Sequence, residues 1–200
     1  MNQIAAGPDG TLWVASSGGL FFQAKQGWAP RVFADPVGRQ WGATEVTGVA
    51  WDGSGQLWIA SLAGVACETR NGWRFYEGRD GLPWNEFTGV APGPGNTLWF
   101  GTRLGAIRFD GATWAYRQGP RWLPDDHVRQ MVIDAGGNAW MTTARGVGVL
   151  RRTPMTLAAK AAYYETEIER YIKRTPYGYV AEAALRKVAD KASAAPEDSD

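Results

Sequence analysis

Several kinds of functional site are excluded by what this 200-residue chain lacks. One cysteine, Cys67, and one histidine, His127, leave no disulfide framework and no multi-cysteine zinc or iron–sulfur site. No apolar run approaches the roughly 18 residues that a membrane helix needs. The 21 basic and 20 acidic residues nearly cancel, so no nucleic-acid surface is expected. We expect no cofactor and no metal, and the N-terminal stretch MNQIAAGPDGTLW has no signal-peptide pattern.

Glycine and tryptophan are abundant, but only in the first three quarters of the chain. Residues 1–150 contain 25 of the 26 glycines and all 11 tryptophans. The remainder includes TLAAKAAYYETEIERYIKR, in which apolar residues follow a helical spacing, with Thr156 as N-cap and Pro176 as stop. A second helical run, VAEAALRKVADKA, follows at 180–192. We therefore predict a domain over 1–151, a helical tail or junction over 152–193, and a disordered end over 194–200.

A repeat of 41 to 45 residues organises the first part of the chain. Its first landmark is a tryptophan in a DGxLWxA-like motif, at Trp13, Trp58, Trp99 and Trp140. Its second landmark is another tryptophan series with the same spacing, at Trp28, Trp73 and Trp114. Each copy divides into four short strands around glycine-rich turns, and the fourth copy lacks its outer strand. This pattern is typical of β-propeller blades, so we predict an all-β fold of about four blades with a C-terminal α-helical tail. The first tryptophan series is expected to wedge between adjacent blades.

The motifs DGTLWVAS (9–16), NTLWFGT (96–102) and DGLPWNEFTGVA (80–91) resemble those of the two-component regulator propeller repeat family. The resemblance covers about 150 residues, and the fourth copy departs from it with Ala139 in place of leucine. It implies a ligand-binding sensor propeller that lies outside the cytoplasm, in the periplasm or beyond, and that takes glycan-derived ligands. Such sensors have about seven blades, so we expect this chain to be a partial propeller. A small four-bladed propeller, or an arc that self-association completes by covering its open edges, are the alternatives.

Candidate ligand-binding residues lie where the chain leads into each innermost strand and in the turns between second and third strands. They are Trp84, Asn85, Glu86, Arg103, Asp126, His127 and Arg145. An exposed tryptophan with planar polar groups nearby suits an oligosaccharide or another small ligand. Glu86 and His127 could in principle exchange protons, but a solvated polar ring is the favoured interpretation, so no catalytic residue is predicted. The prediction is a non-catalytic ligand-recognition or interaction module, with carbohydrate-derived ligands.

One alternative function belongs to another class. The stretch LAAKAAYYETEIERYIKRTPYGYV resembles a junction in some secreted propeller proteins, where a helical domain follows the propeller. The propeller would then be a scaffold for a helical catalytic domain that lies beyond this chain. Two local features have structural interpretations: Asp125 and Asp126 are expected to cap a turn rather than bind calcium, and Cys67 is expected to be a buried, inert thiol.

Overall fold

A computed structural model describes residues 1–32, 45–82, 85–152 and 156–172. In these ranges, fifteen strands form four antiparallel sheets in a four-blade propeller arrangement. The all-β propeller prediction is therefore confirmed. The chain divides into two compact units, Met1–Arg152 and Thr153–Asp200.

Each blade is built from strands that are consecutive in the chain. Blade 1 consists of β1 (Gln3–Ala6), β2 (Leu12–Ser16), β3 (Gly19–Ala24) and β4 (Gly27–Pro30). Blade 2 consists of β5 (Val46–Trp51), β6 (Leu57–Ser61), β7 (Val65–Thr69) and β8 (Gly72–Tyr76). Blade 3 consists of β9 (Phe87–Pro92), β10 (Leu98–Thr102), β11 (Gly105–Phe109) and β12 (Trp114–Arg117). Blade 4 consists of β13 (Val128–Ile133), β14 (Ala139–Thr143) and β15 (Gly146–Leu150), so within the described residues it has three strands, as predicted.

The turn between the second and third strands closes in the same way in every blade. In blade 3, the Thr102 hydroxyl donates to the Gly105 carbonyl oxygen at 2.8 Å and accepts the Leu104 N–H at 3.0 Å. Gly105 has φ +113°, which glycine adopts without the steric cost that other residues pay. The serine or threonine and the glycine of the repeat motif are therefore explained by this turn.

The turn before the second strand anchors the motif tryptophan in blades 2 and 4. In blade 2, the Asp52 carboxylate accepts the Ser54 and Gln56 N–H groups, and the Trp58 Nε1–H donates to its second oxygen at 2.9 Å. In blade 4, Asp134 accepts the Trp140 Nε1–H, also at 2.9 Å. The position of the indole is thus held by hydrogen bonds within its own blade.

The wedge prediction for the first tryptophan series is confirmed inside the stack and is wrong at its end. Trp58 is 3 % exposed and contacts the rings of Phe100 and Phe109 in blade 3, while Trp99 is buried against blade 4. Trp13 is half-buried and meets Trp51 of blade 2 edge to face.

Trp140 departs from the prediction because it is 44 % exposed. The surface of blade 4 that carries it has no further blade among the described residues, so the indole has no neighbour to wedge against. The tryptophans of the second series lie in the outer strands β4, β8 and β12.

At the centre of the propeller, Gln3 ties three innermost strands together. Its Nε2 donates to the Val49 carbonyl oxygen at 3.1 Å and to the Val90 carbonyl oxygen at 2.8 Å, and its Oε1 accepts the Val90 N–H. Blade 2 has Gly48 at the corresponding register position, where a Cβ would lie 2.6 Å from the Val90 nitrogen. Glycine is therefore required for the close approach of β5 and β9, and the glutamine side chain fills the space beside them.

The second unit contains one described helix, α1 (Leu157–Ile172). The Thr156 hydroxyl accepts the Ala159 N–H at 3.2 Å, which confirms the predicted N-cap. The predicted stop at Pro176, the second helical run and the disordered end lie outside the described residues. Among the helices described, none has the length and apolar character that crossing a membrane requires.

Candidate ligand-binding face

One end of the blades, which we call the top face, is formed by the lead-in loops of the innermost strands and the turns between second and third strands. In blade 3, Arg103 Nη1 of the turn lies 3.7 Å from Glu86 Oε1 of the lead-in loop. In blade 4, Arg145 Nε lies 3.8 Å from Asp125 Oδ2. Both arginines and Glu86 are more than half exposed. Blades 3 and 4 therefore each place a carboxylate beside an exposed guanidinium.

Backbone hydrogen bonds join these loops from one blade to the next. The Glu86 N–H donates to the Leu62 carbonyl oxygen in the turn of blade 2 at 3.2 Å. The Gly105 N–H in the turn of blade 3 donates to the Asp126 carbonyl oxygen of the next lead-in loop at 2.7 Å. The structure therefore arranges Glu86, Arg103 and Asp126 along one continuous rim that runs from blade 2 to blade 4.

Glu86 has an unusual backbone conformation. Its φ of 63° is positive, and among the described residues it is the only non-glycine with a positive φ. A left-handed backbone costs a residue with a Cβ on the order of 1–2 kcal/mol, and Phe87, directly after it, is fully buried in the core. The rest of the blade holds Glu86 in place, and strain of this kind is typical of functional sites.

The acidic pair of the blade 4 lead-in loop caps the loop itself. Asp126 Oδ1 accepts the Gly119 N–H at 2.6 Å, and Asp125 Oδ1 accepts the His127 N–H at 3.0 Å. The turn-capping prediction is therefore confirmed. Asp126 is half-buried and acts as a brace for the loop, while His127 is exposed.

Trp122 lies on the same loop and is not among the site residues predicted from the sequence. It is 37 % exposed, and the guanidinium carbons of Arg117 and Arg121 lie 4.6 Å and 5.2 Å from its ring centre. The preceding repeat has Gly81 at this position, so the signal in the sequence was a tryptophan that replaces a glycine. Because Asp126 is bonded both to Gly119 of this loop and to the Arg103-containing turn, the indole belongs to the same rim.

Of the seven predicted site residues, Trp84 lies outside the described residues, and Asn85 is exposed directly before Glu86. The other five lie on the top face as described above. Within the described residues, no group of three or more histidine, cysteine or acidic side chains is arranged to hold a metal ion. Cys67 is 2 % exposed, and burial raises the pKa of its thiol, as expected for an unreactive cysteine.

A separate cavity of about 350 Å³ lies at the centre of the propeller. The four innermost strands line it, and their contribution is backbone together with apolar side chains such as Val49, Val90 and Met131. These residues offer few polar side chains to a ligand. The top face is therefore the better candidate for the recognition of a polar molecule.

No family model matches this chain, and no curated protein matches it. Among solved structures, it is similar to the extracellular domain of a protein described as the hybrid two-component system BT3049 from B. thetaiotaomicron, with 22 % identity and a TM-score of 0.61. It is also similar to a streptogramin B lyase (16 %, TM-score 0.56) and to a gluconolactonase from Xanthomonas campestris (18 %, TM-score 0.54).

These alignments use 74 %, 73 % and 74 % of this chain, respectively. The chain spans 21 % of the length of the first structure, 49 % of the lyase and 57 % of the gluconolactonase. At these identities, what the chain shares with the three structures is the propeller fold.

Proposed function

We propose that the propeller is a non-catalytic ligand-recognition module and that its top face binds carbohydrate-derived ligands. The observation that carries this proposal is Glu86, an exposed carboxylate in a left-handed backbone beside the Arg103 guanidinium. These two planar groups offer hydrogen-bond acceptors and donors 3.7 Å apart. Neighbouring hydroxyl groups of a sugar can hydrogen-bond to the carboxylate and the guanidinium at the same time. Without a ligand, an exposed ion pair of this kind adds little to the stability of the blade.

An aromatic surface on the same rim supports a sugar ligand. The apolar face of a pyranose ring packs on an indole, and Trp122 provides an indole that is partly open to solvent. Trp84 precedes Asn85 and Glu86 in the sequence and is the other aromatic candidate. The proposed contacts are therefore stacking on these two indoles and hydrogen bonding to Glu86, Arg103 and Asn85.

One of the similar structures supports a sensing role, whereas two others are enzymes. The extracellular domain of a two-component system shares the fold, which favours a recognition module and a location outside the cytoplasm. A lyase and a gluconolactonase share it too, so the absence of catalysis is part of the proposal. If the chain catalyses a reaction of an oligosaccharide, and Glu86→Ala or His127→Ala abolishes that reaction, the non-catalytic proposal is contradicted.

Calorimetric titration with neutral and uronic-acid-containing oligosaccharides tests the proposal. We expect Glu86→Gln and Trp122→Ala each to weaken binding at least tenfold while the thermal midpoint stays within a few degrees. Trp84→Ala is expected to abolish binding without loss of the fold. Arg70→Ala, an exposed arginine in the turn between β7 and β8 at the opposite end, is the matched control and should bind as wild type does. Binding that Glu86→Gln, Trp122→Ala and Trp84→Ala all leave unchanged, or no binding of any oligosaccharide tested, would overturn the proposal.

A further inference from the structure

Blade 4 ends in an apolar surface that has the composition of an interface between blades. This surface, the leading flank, consists of Val132, Trp140, Thr142 and Val147. All four are exposed, with Trp140 at 44 % and Val147 at 58 %. At the same register positions blade 2 has Ala50, Trp58, Ala60 and Val65, each 3 % exposed or less. In blade 2 these residues are covered by blade 3.

Blade 1 has the complementary surface on its opposite side. This surface, the trailing flank, consists of Ile4, Leu12, Phe21 and Trp28. Ile4 is 50 % exposed and Trp28 is 54 % exposed. The corresponding residues of blade 2 are Val49, Leu57, Ala66 and Trp73, which pack in one cluster with Ala15 and Leu20 of blade 1.

The interfaces inside the chain show how two such flanks fit together. The tryptophan of each leading flank inserts into the trailing flank of the next blade. Trp13 meets Trp51 at a ring distance of 5.6 Å, and Trp58 meets Phe100 at 6.2 Å and Phe109 at 5.3 Å. Trp140 could insert in the same manner into the trailing flank of blade 1. That flank is exposed at the other end of the series of blades.

We propose that the leading flank of one copy of this chain docks on the trailing flank of a second copy, so that the two copies associate head to tail. The contact continues the existing stack of blades and buries apolar side chains that are otherwise in water. Because the two flanks are different surfaces, the interface is heterologous, and two copies can close into a ring of eight blades, which is within the size range of propellers.

Sedimentation velocity and light scattering of the full chain at micromolar concentration test the association itself. We expect a dimer of twice the 21.8 kDa of one chain. Val147→Glu on the leading flank and Trp28→Glu on the trailing flank should each weaken it roughly a hundredfold, because docking would bury an unpaired charge. Both positions are exposed, so each variant should still fold, as circular dichroism would verify. Leu104→Glu, an exposed leucine of the top face, is the control and should remain dimeric.

A mixture of the two flank variants decides the geometry. The Trp28→Glu chain keeps its leading flank and the Val147→Glu chain keeps its trailing flank, so the mixture should form a heterodimer although each variant alone is monomeric. If two copies of the same flank contacted each other instead, one of the two variants would still dimerise alone, and mixing would not restore association of the other. That result would overturn the proposal. A monomeric wild-type chain would also overturn it.

Discussion

Trp58 and Trp140 occupy the same position of the repeat, and their indoles are held by the same hydrogen bond, yet one is buried and the other is not. Each Nε1–H donates to an aspartate at 2.9 Å, but the exposed fraction is 3 % for Trp58 and 44 % for Trp140. The motif therefore determines the turn and the direction of the indole, which are local properties. Burial is a property of the neighbouring blade, which the motif does not contain.

The largest expected difference between the two blades is the cost of removing the indole. Trp58→Ala should lower the free energy of unfolding by about 3–5 kcal/mol, because it leaves a cavity among aromatic side chains. Trp140→Ala should cost about 1 kcal/mol, mainly through the hydrogen bond to Asp134. Urea unfolding at submicromolar concentration, where association is negligible, measures both. Equal costs would contradict the difference in burial.

A smaller difference is expected at the turn that follows the innermost strand. Blade 2 has Gly53, where a Cβ would overlap the Gly95 carbonyl oxygen of blade 3, and blade 4 has Ala135 at the same position. Gly53→Ala should therefore cost about 1–3 kcal/mol, because the two turns must move apart. Ala135→Gly should cost no more than about 1 kcal/mol, through chain entropy alone. Thermal unfolding of the two variants gives the comparison, and a harmless Gly53→Ala would show that the blades are not in tight contact there.

The smallest difference is electrostatic and depends on pH. Hydrogen bonds from Trp140 and Asn138 lower the pKa of Asp134 from 3.8 to about 2. Since the pKa is lower in the folded chain, the stabilisation is complete above about pH 3.8 and disappears as the pH falls through 2. The stability difference between wild type and Asp134→Asn should therefore shrink from pH 5 to pH 2. A difference that is constant over this range would show that the carboxylate does not accept these bonds.

In blade 2, two opposing effects act on the equivalent carboxyl group. Burial raises the pKa of Asp52, but hydrogen bonds from Ser54, Trp58 and Gln56 outweigh it and lower the pKa overall. The stability difference for Asp52→Asn should accordingly also shrink in acid. The two variants thus test whether the hydrogen bond from tryptophan to aspartate stabilises the fold both beside a neighbouring blade and without one.

The repeat made most of the fold predictable, because each blade is specified by local features. The glycine at the end of each turn, the serine or threonine three residues before it, and the tryptophan of β2, β6, β10 and β14 all recur in register. What the sequence could not reveal depends on contacts between repeats. Gln3 reaches two other blades, and the exposure of Trp140 depends on what lies beyond blade 4.

The candidate site was predictable in outline only. Alignment of the repeats identified Glu86 and Arg103 as residues of one end of a blade, and the structure places them 3.7 Å apart. The left-handed backbone of Glu86 had no signal in the sequence, because glutamate does not favour it. Trp122 was overlooked because it interrupts the repeat pattern instead of following it, and residues that depart from a repeat are where a binding surface can differ from its scaffold.

The most direct test of the comparison is the solvent accessibility of the two indoles. In a ¹⁵N-indole NMR spectrum at low protein concentration, assigned with Trp58→Phe and Trp140→Phe, a soluble paramagnetic gadolinium chelate should broaden the Trp140 Nε1–H resonance strongly. The Trp58 resonance should be almost unaffected, although both protons are hydrogen-bonded to aspartate. Equal broadening of the two would contradict the account, since it would mean that the neighbouring blade does not decide whether the repeated tryptophan is buried.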